Sequence, residues 1–128
     1  MVVDTSAALA IYFGEPGGQW CVKTIDASQE DLWMCTVNLA ECLIIAEDRS
    51  GSQGAAQIRA DMEARRMNFV SPDAEMAVIA AQARHRFPLN LGDCFAYALA
   101  KTKGEALVTL DRDFRATDID VRLPPPWR

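Results

Sequence analysis

The chain contains one histidine, His85, and four cysteines, no two of which stand in a Cys-X-X-Cys spacing. A zinc centre of the usual His/Cys type is therefore not expected. A serine-type triad would have to rest on His85 alone, and that residue, flanked by Arg84 and Arg86, reads as part of a solvated helix face. Cys21, Cys35, Cys42 and Cys94 read as small buried hydrophobes, not as a disulfide framework. No apolar run approaches the roughly 20 residues of a membrane helix. The opening Met1-Val2-Val3-Asp4 lacks the basic region of a secretory signal, so a cytoplasmic location is expected. Positive charge is also in deficit, with 13 Lys and Arg against 18 Asp and Glu, a net charge of −5. That argues against a general nucleic-acid coat protein, which is normally basic.

What remains is ordinary for a globular protein: 128 residues, half of them hydrophobic and about a quarter charged. No repeat, low-complexity tract or linker interrupts the chain. Residues 1–128 are expected to form a single domain, with the Pro-rich stretch Pro124-Pro125-Pro126 and the following Trp127 as an extended tail over 124–128. The acid excess needs an explanation, and metal binding supplies one, because an acidic site holding cations carries a locally inverted field.

Short apolar runs alternate with longer helical segments. Strands are expected at residues 1–3, Leu32–Cys35, Met67–Val70, Ala106–Leu110 and around Ile119–Leu123. Helices are expected from Ala7 to about Phe13, from Gly18 to about Ala27, and from a Thr36 cap to about Arg49. After a break at Ser50-Gly51-Ser52, another covers Gly54–Arg66. Ser71-Pro72-Asp73 reads as a helix start, with Ser71 as cap and Pro72 in the first position. Asn90 caps a helix through Lys103, which Gly104 ends. This alternation implies an α/β sandwich with a mostly parallel sheet. In such sheets, ligands bind outside the carboxyl ends of the strands.

Four acids draw attention in that frame. Asp4 follows the first strand and precedes the first helix, as a helix cap or as a carboxylate fixed at the sheet edge. Glu41 shares a helix row with Val37 and Ile45 in a segment almost wholly apolar from Val37 to Ala46, where a charge is costly unless paired or bound to metal. Asp93 stands three residues after Asn90, the spacing of a capping box, and opens the apolar run Cys94–Ala100. Asp111 ends a strand, with Asp113 two residues on as its rival for the inward position. Together they suggest an oxygen-only site, the preference of Mg²⁺ and Mn²⁺.

The same residues carry a family resemblance. Val3-Asp4-Thr5-Ser6-Ala7, Asn38-Leu39-Ala40-Glu41, Leu89-Asn90-Leu91-Gly92-Asp93-Cys94-Phe95-Ala96-Tyr97-Ala98-Leu99-Ala100 and Thr109-Leu110-Asp111-Arg112-Asp113-Phe114 resemble, in order, the four motifs of PIN-domain proteins of the VapC type. The third is the most specific. Some relatives carry the fourth acid where Asp113 stands here, so Asp111 and Asp113 both remain open. Thr5 and Ser6 resemble hydroxyls lining the site, or else cap the helix.

The resemblance implies a three-layer α/β/α sandwich and a Mg²⁺- or Mn²⁺-dependent endoribonuclease. It also implies the toxin role in a toxin–antitoxin pair, with a cognate antitoxin and a homodimer as partners and RNA as substrate. Asp4, Asp93 and Asp111 are then the expected metal ligands, and Glu41 a ligand or the group that orients water. Arg86, Lys101, Lys103, Arg112 and Arg115 are available for RNA phosphates. Two other readings compete. A catalytically inactive PIN-like scaffold would not need all four acids. A phosphoacceptor signalling domain would want a lysine closely following a strand near the site, and none follows Met67–Val70 or Ala106–Leu110.

Overall fold

The computed structural model describes residues 1–126. The elements in chain order are β1 (Val2–Val3), α1 (Thr5–Phe13), α2 (Gly18–Ser28), β2 (Leu32–Cys35) and α3 (Thr36–Ala64). β3 (Met67–Val70), α4 (Ala74–Arg86), α5 (Leu91–Lys103), β4 (Leu107–Val108), a 3-10 turn at Arg112–Ala116 and β5 (Val121–Arg122) follow. All five strands run parallel in the order β3-β2-β1-β4-β5. This is the expected α/β architecture.

The period-two alternation of the strands sorts their side chains into two cores. Met1, Val3, Met34 and Val108 point to the face covered by α1, α2 and α3. Val2, Cys35 and Leu107 point to the face covered by α4 and α5, which holds the buried Phe114, Tyr97 and Leu99. The chain moves from β1 outward to β2 and β3 with its helices on one face. It then returns across the sheet to β4 with α4 and α5 on the other, as right-handed crossovers require. Strand order therefore reverses between β1 and β4, which makes that crevice the place where such a sheet takes a ligand.

Several boundaries differ from expectation. Helix α1 begins at Thr5, not Ala7, and α3 begins at Thr36 itself, with Cys35 in the cap position and no side-chain cap bond. The expected gap around Ser50–Ser52 is a kink at Gly51 alone, whose φ of 71° only glycine takes without strain. At α4 the cap is Asp73, which accepts from Met76 N at 2.9 Å, and Ser71 and Pro72 lie ahead of the helix. β4 and β5 are each two residues long, and the 3-10 turn between them was not expected. All four cysteines are free and buried, and His85 is exposed on α4. Of the expected tail, Pro124 is buried and Pro125 and Pro126 are exposed; Trp127 and Arg128 lie outside the described residues. Among the described residues no helix is long and apolar enough to cross a membrane.

Candidate active site

Asp4 leaves β1 at the crevice where the strand order reverses, and its backbone N–H donates to Val108 O at 3.1 Å. It occupies the cap position of α1, yet its carboxylate makes no cap hydrogen bond. Instead its Oδ2 accepts from Ser6 Oγ at 2.7 Å and from Thr109 Oγ1 at 2.8 Å. The residue is 2% exposed, and its Oδ1 is buried with no hydrogen-bond partner among the described residues. Burial pushes its pKa above the usual carboxylate range, against the pull of both hydroxyls. An unpartnered buried carboxylate oxygen is costly, so its retention points toward a ligand.

Glu41 is half-buried, one turn into α3. Its Oε1 accepts from Thr5 Oγ1 at 2.8 Å and from Asn38 Nδ2 at 3.0 Å. Both donors are neutral, so the carboxylate is oriented without an ion pair to either. Asp93 sits in the first turn of α5 inside a complete capping box: Asn90 N donates to Asp93 Oδ2 at 3.1 Å, and Asp93 N donates to Asn90 Oδ1 at 2.9 Å. Capping and facing the site are thus one arrangement. Burial, then the charge of Asp4, pushes Asp93 up to about 7; Asp111 and Glu41 add to the rise, and the Asn90 N–H opposes it. The four acids therefore share one field.

Asp111 caps the 3-10 turn, its Oδ1 accepting from Asp113 N at 2.8 Å. Asp113 contributes only its backbone N–H to this cap. Asp111 is half-buried beside the other acids and Asp113 is exposed. The backbone of this loop is held from below: Leu110 N donates to Ser6 Oγ and Asp111 N to Thr109 Oγ1, each at 3.0 Å. Ser6 lines the site and does not merely cap α1.

Three residues of this arrangement were missed by sequence reasoning as individual participants. Asn38 is fully buried and lies on the face of α3 that carries Glu41, three residues on, which is a readable signal. Thr109 is fully buried just past β4, where a polar residue in an apolar run is also a signal. Gly92 gave none.

Among the described residues no three His, Cys, Asp or Glu side chains are gathered tightly enough to form a metal shell as they stand. The donor chemistry nevertheless fits a divalent, oxygen-preferring cation. The acids contribute carboxylate oxygens only, Asp4 Oδ1 is unpartnered, and burial together with the neighbouring like charges pushes Asp93 up to about 7. A cation shared among them would relieve the repulsion between the acids.

The PIN domain matches residues 1–120. A protein of Mycolicibacterium smegmatis described as Ribonuclease VapC is 36% identical over 126 residues, covering 93% of this chain and 97% of the relative. Among solved structures, VapC20 of Mycobacterium tuberculosis, described as a Sarcin-Ricin loop cleaving toxin, superposes with a TM-score of 0.75. It shares 21% identity over 90% of this chain and 92% of its own. VapBC2 from Rickettsia felis, solved bound to a DNA fragment from their promoter, gives a TM-score of 0.76 at 13% identity, over 95% of this chain and 96% of that one. At those identities the structural likeness is one of fold. The chain belongs to the PIN-domain family and, within it, to the VapC ribonucleases.

Proposed function

We propose that this protein is a divalent-metal-dependent endoribonuclease, acting as the toxin of a toxin–antitoxin pair. The carrying observation is that Asp4, with its buried unpartnered Oδ1, stands where the strand order reverses and shares a field with Glu41, Asp93 and Asp111. Asp4, Asp93 and Asp111 would hold Mg²⁺ or Mn²⁺, with Glu41 as a further ligand or as the group that orients water. Bound there, the ion supplies charge neutralisation and Lewis acidity toward phosphate oxygens. The chain itself supplies geometry. Ser6 and Thr109 fix Asp4, Thr5 and Asn38 fix Glu41, and the Asn90 capping box fixes Asp93.

Of the basic residues considered for RNA phosphates, Lys101 is paired with Asp118 at 2.8 Å and Lys103 lies 4.0 Å over the ring of Trp33. Arg86 lies 4.8 Å over the ring of Phe87 and Arg115 Nε donates to Arg112 O at 3.2 Å. Like Lys103, both are exposed and form no salt bridge among the described residues, so these three are the better phosphate partners. The antitoxin and a second copy of the chain are the protein partners of this reading. Ile11, Tyr12 and Phe13 line a groove of about 510 Å³ against the second half of α3, and none of the four site acids lines it. It is the surface we favour for the antitoxin.

The test is cleavage-site mapping on total RNA after controlled expression of the full chain and of Asp93→Ala. Discrete cuts that vanish in the variant, and in purified protein on chelation, support the reading. Cleavage that survives both Asp4→Ala and Asp93→Ala refutes the site. Co-purification with a small protein encoded next door tests the toxin role, and its absence under native expression counts against it.

A further inference from the structure

We propose that Asn38 and Gly92 are the positioning pair that seats Glu41, an inference resting on the ribonuclease reading above. Asn38 aims one oxygen of the Glu41 carboxylate, and Gly92 leaves open the space that the carboxylate fills beside Asp93.

Asn38 is fully buried on a helix whose neighbouring inward residues, Leu39 and Cys42, are apolar. Its Oδ1 is buried without a partner among the described residues, so the amide is tolerated there for the hydrogen bonds of its Nδ2. Its Nδ2 lies 3.0 Å from Glu41 Oε1, 3.0 Å from Gly92 O and 3.2 Å from Thr5 Oγ1. The first two are pure acceptors, so the amide nitrogen faces them and its two hydrogens are committed. Thr5 Oγ1 donates to the same Glu41 oxygen. Two donors from two different helices converging on one oxygen fix the rotation of the carboxylate. Neither carries a charge that would cancel its own.

Gly92 completes the seat from the opposite side. A Cβ at this position would stand 2.6 Å from Glu41 Cδ and closer still to its oxygens. Gly92 does not take the left-handed backbone seen at Gly14, Gly17, Gly51 and Gly104, so backbone conformation does not require glycine here. Within a helix glycine is normally inferior to alanine. Room for Glu41 is the reason that remains. Because Asn38 also binds the Gly92 carbonyl, the same peptide is held in register across the 54 residues that separate them. Glu41 is therefore seated by α5 as much as by the helix that carries it.

The experiment combines a thermal double-mutant cycle with kinetics on the full chain. Gly92→Ala is expected to lower Tm by about 5 °C in the native background and to raise it in Glu41→Ala, where the obstructing carboxylate is gone and helix propensity decides. In cleavage assays Gly92→Ala and the isosteric Asn38→Asp, which turns a donor toward Glu41 into an acceptor, are each expected to reduce kcat by about tenfold or more, with KM for RNA little changed. Equal Tm changes in both backgrounds, or native kcat in a folded Asn38→Asp protein, overturn the proposal. If Asn38→Asp does not fold, the Gly92 cycle decides alone. Glu41→Gln separates the two readings. Undiminished cleavage by that variant removes Glu41 from the reaction, while the thermal cycle still judges how Glu41 is seated.

Discussion

Ser6 and Thr109, 103 residues apart, direct their hydroxyls at the same oxygen of Asp4, and each accepts a backbone N–H from the loop that carries Asp111. With both protons given to Asp4, each hydroxyl is free to accept. The pair thus couples the acid at the end of β1 to the acid beyond β4 without a direct contact between them.

Thr109→Val keeps the shape of this side chain and removes both functions. Asp4 loses a donor and Asp111 N loses its acceptor in a fully buried setting. Urea unfolding is expected to show a loss of about 2 kcal/mol. RNA cleavage should fall with it, and Thr109→Ser should retain most of both. Native stability in the valine variant would show that the coupling is idle.

Asp111 and Asp113 are two residues apart and unequal. Asp111→Asn removes a charge that acts on Asp93, while its amide oxygen still caps the turn. Cleavage should drop by about a hundredfold or more if the carboxylate is a ligand. Asp113 contributes its backbone N–H, so Asp113→Asn should leave cleavage within about twofold and stability within about 0.5 kcal/mol. Steady-state assays of the two purified variants decide, and the reverse order would move the fourth acid to Asp113.

The legible part of this molecule was its local chemistry. Asp4 stood out because a strand must end there, and Asp93 because a helix must begin there. The glycine kink at Gly51 and the capping box at Asn90 are likewise set by single residues and their immediate neighbours. Long-range contacts were not legible. Thr109 was absorbed into a strand read as Ala106–Leu110, whereas β4 stops at Val108 and Thr109 turns toward Ser6. Gly92 has meaning only once α5 is packed against Glu41. The caps at Cys35 and Asp73 were misplaced by one and two residues because side-chain preference alone does not choose among adjacent candidates.

Metal is expected to stabilise the folded chain through the same oxygens. With Mn²⁺ at about 100 times its Kd, linkage gives about 2.7 kcal/mol. The corresponding rise in Tm should disappear in Asp4→Ala. Differential scanning calorimetry with and without Mn²⁺ measures this directly. A rise of equal size in Asp4→Ala would place the ion elsewhere.

Asp93 ties function to stability through its charge. Its pKa is about 7 when folded, against an ordinary value of 3.8. Between those values the folded state holds a proton that the unfolded state has released. Stability of the metal-free protein should therefore fall as pH rises from about 4 to about 7 and stay low above that. The whole gap corresponds to about 4 kcal/mol, and solvent screening at a half-buried carboxyl reduces this to about 2 kcal/mol. Asp93→Asn keeps an oxygen for the Asn90 N–H and removes the charge. Urea titrations in chelator should show this variant to be the more stable protein at pH 8, no better at pH 4, and with a smaller fall between, the part that remains being that of Asp4. In the same preparations it should have lost cleavage. A wild-type protein whose Asp93-dependent stability rises across this window would mean that the carboxyl is paired with a cation of the chain, and the repulsive cluster would have to be abandoned.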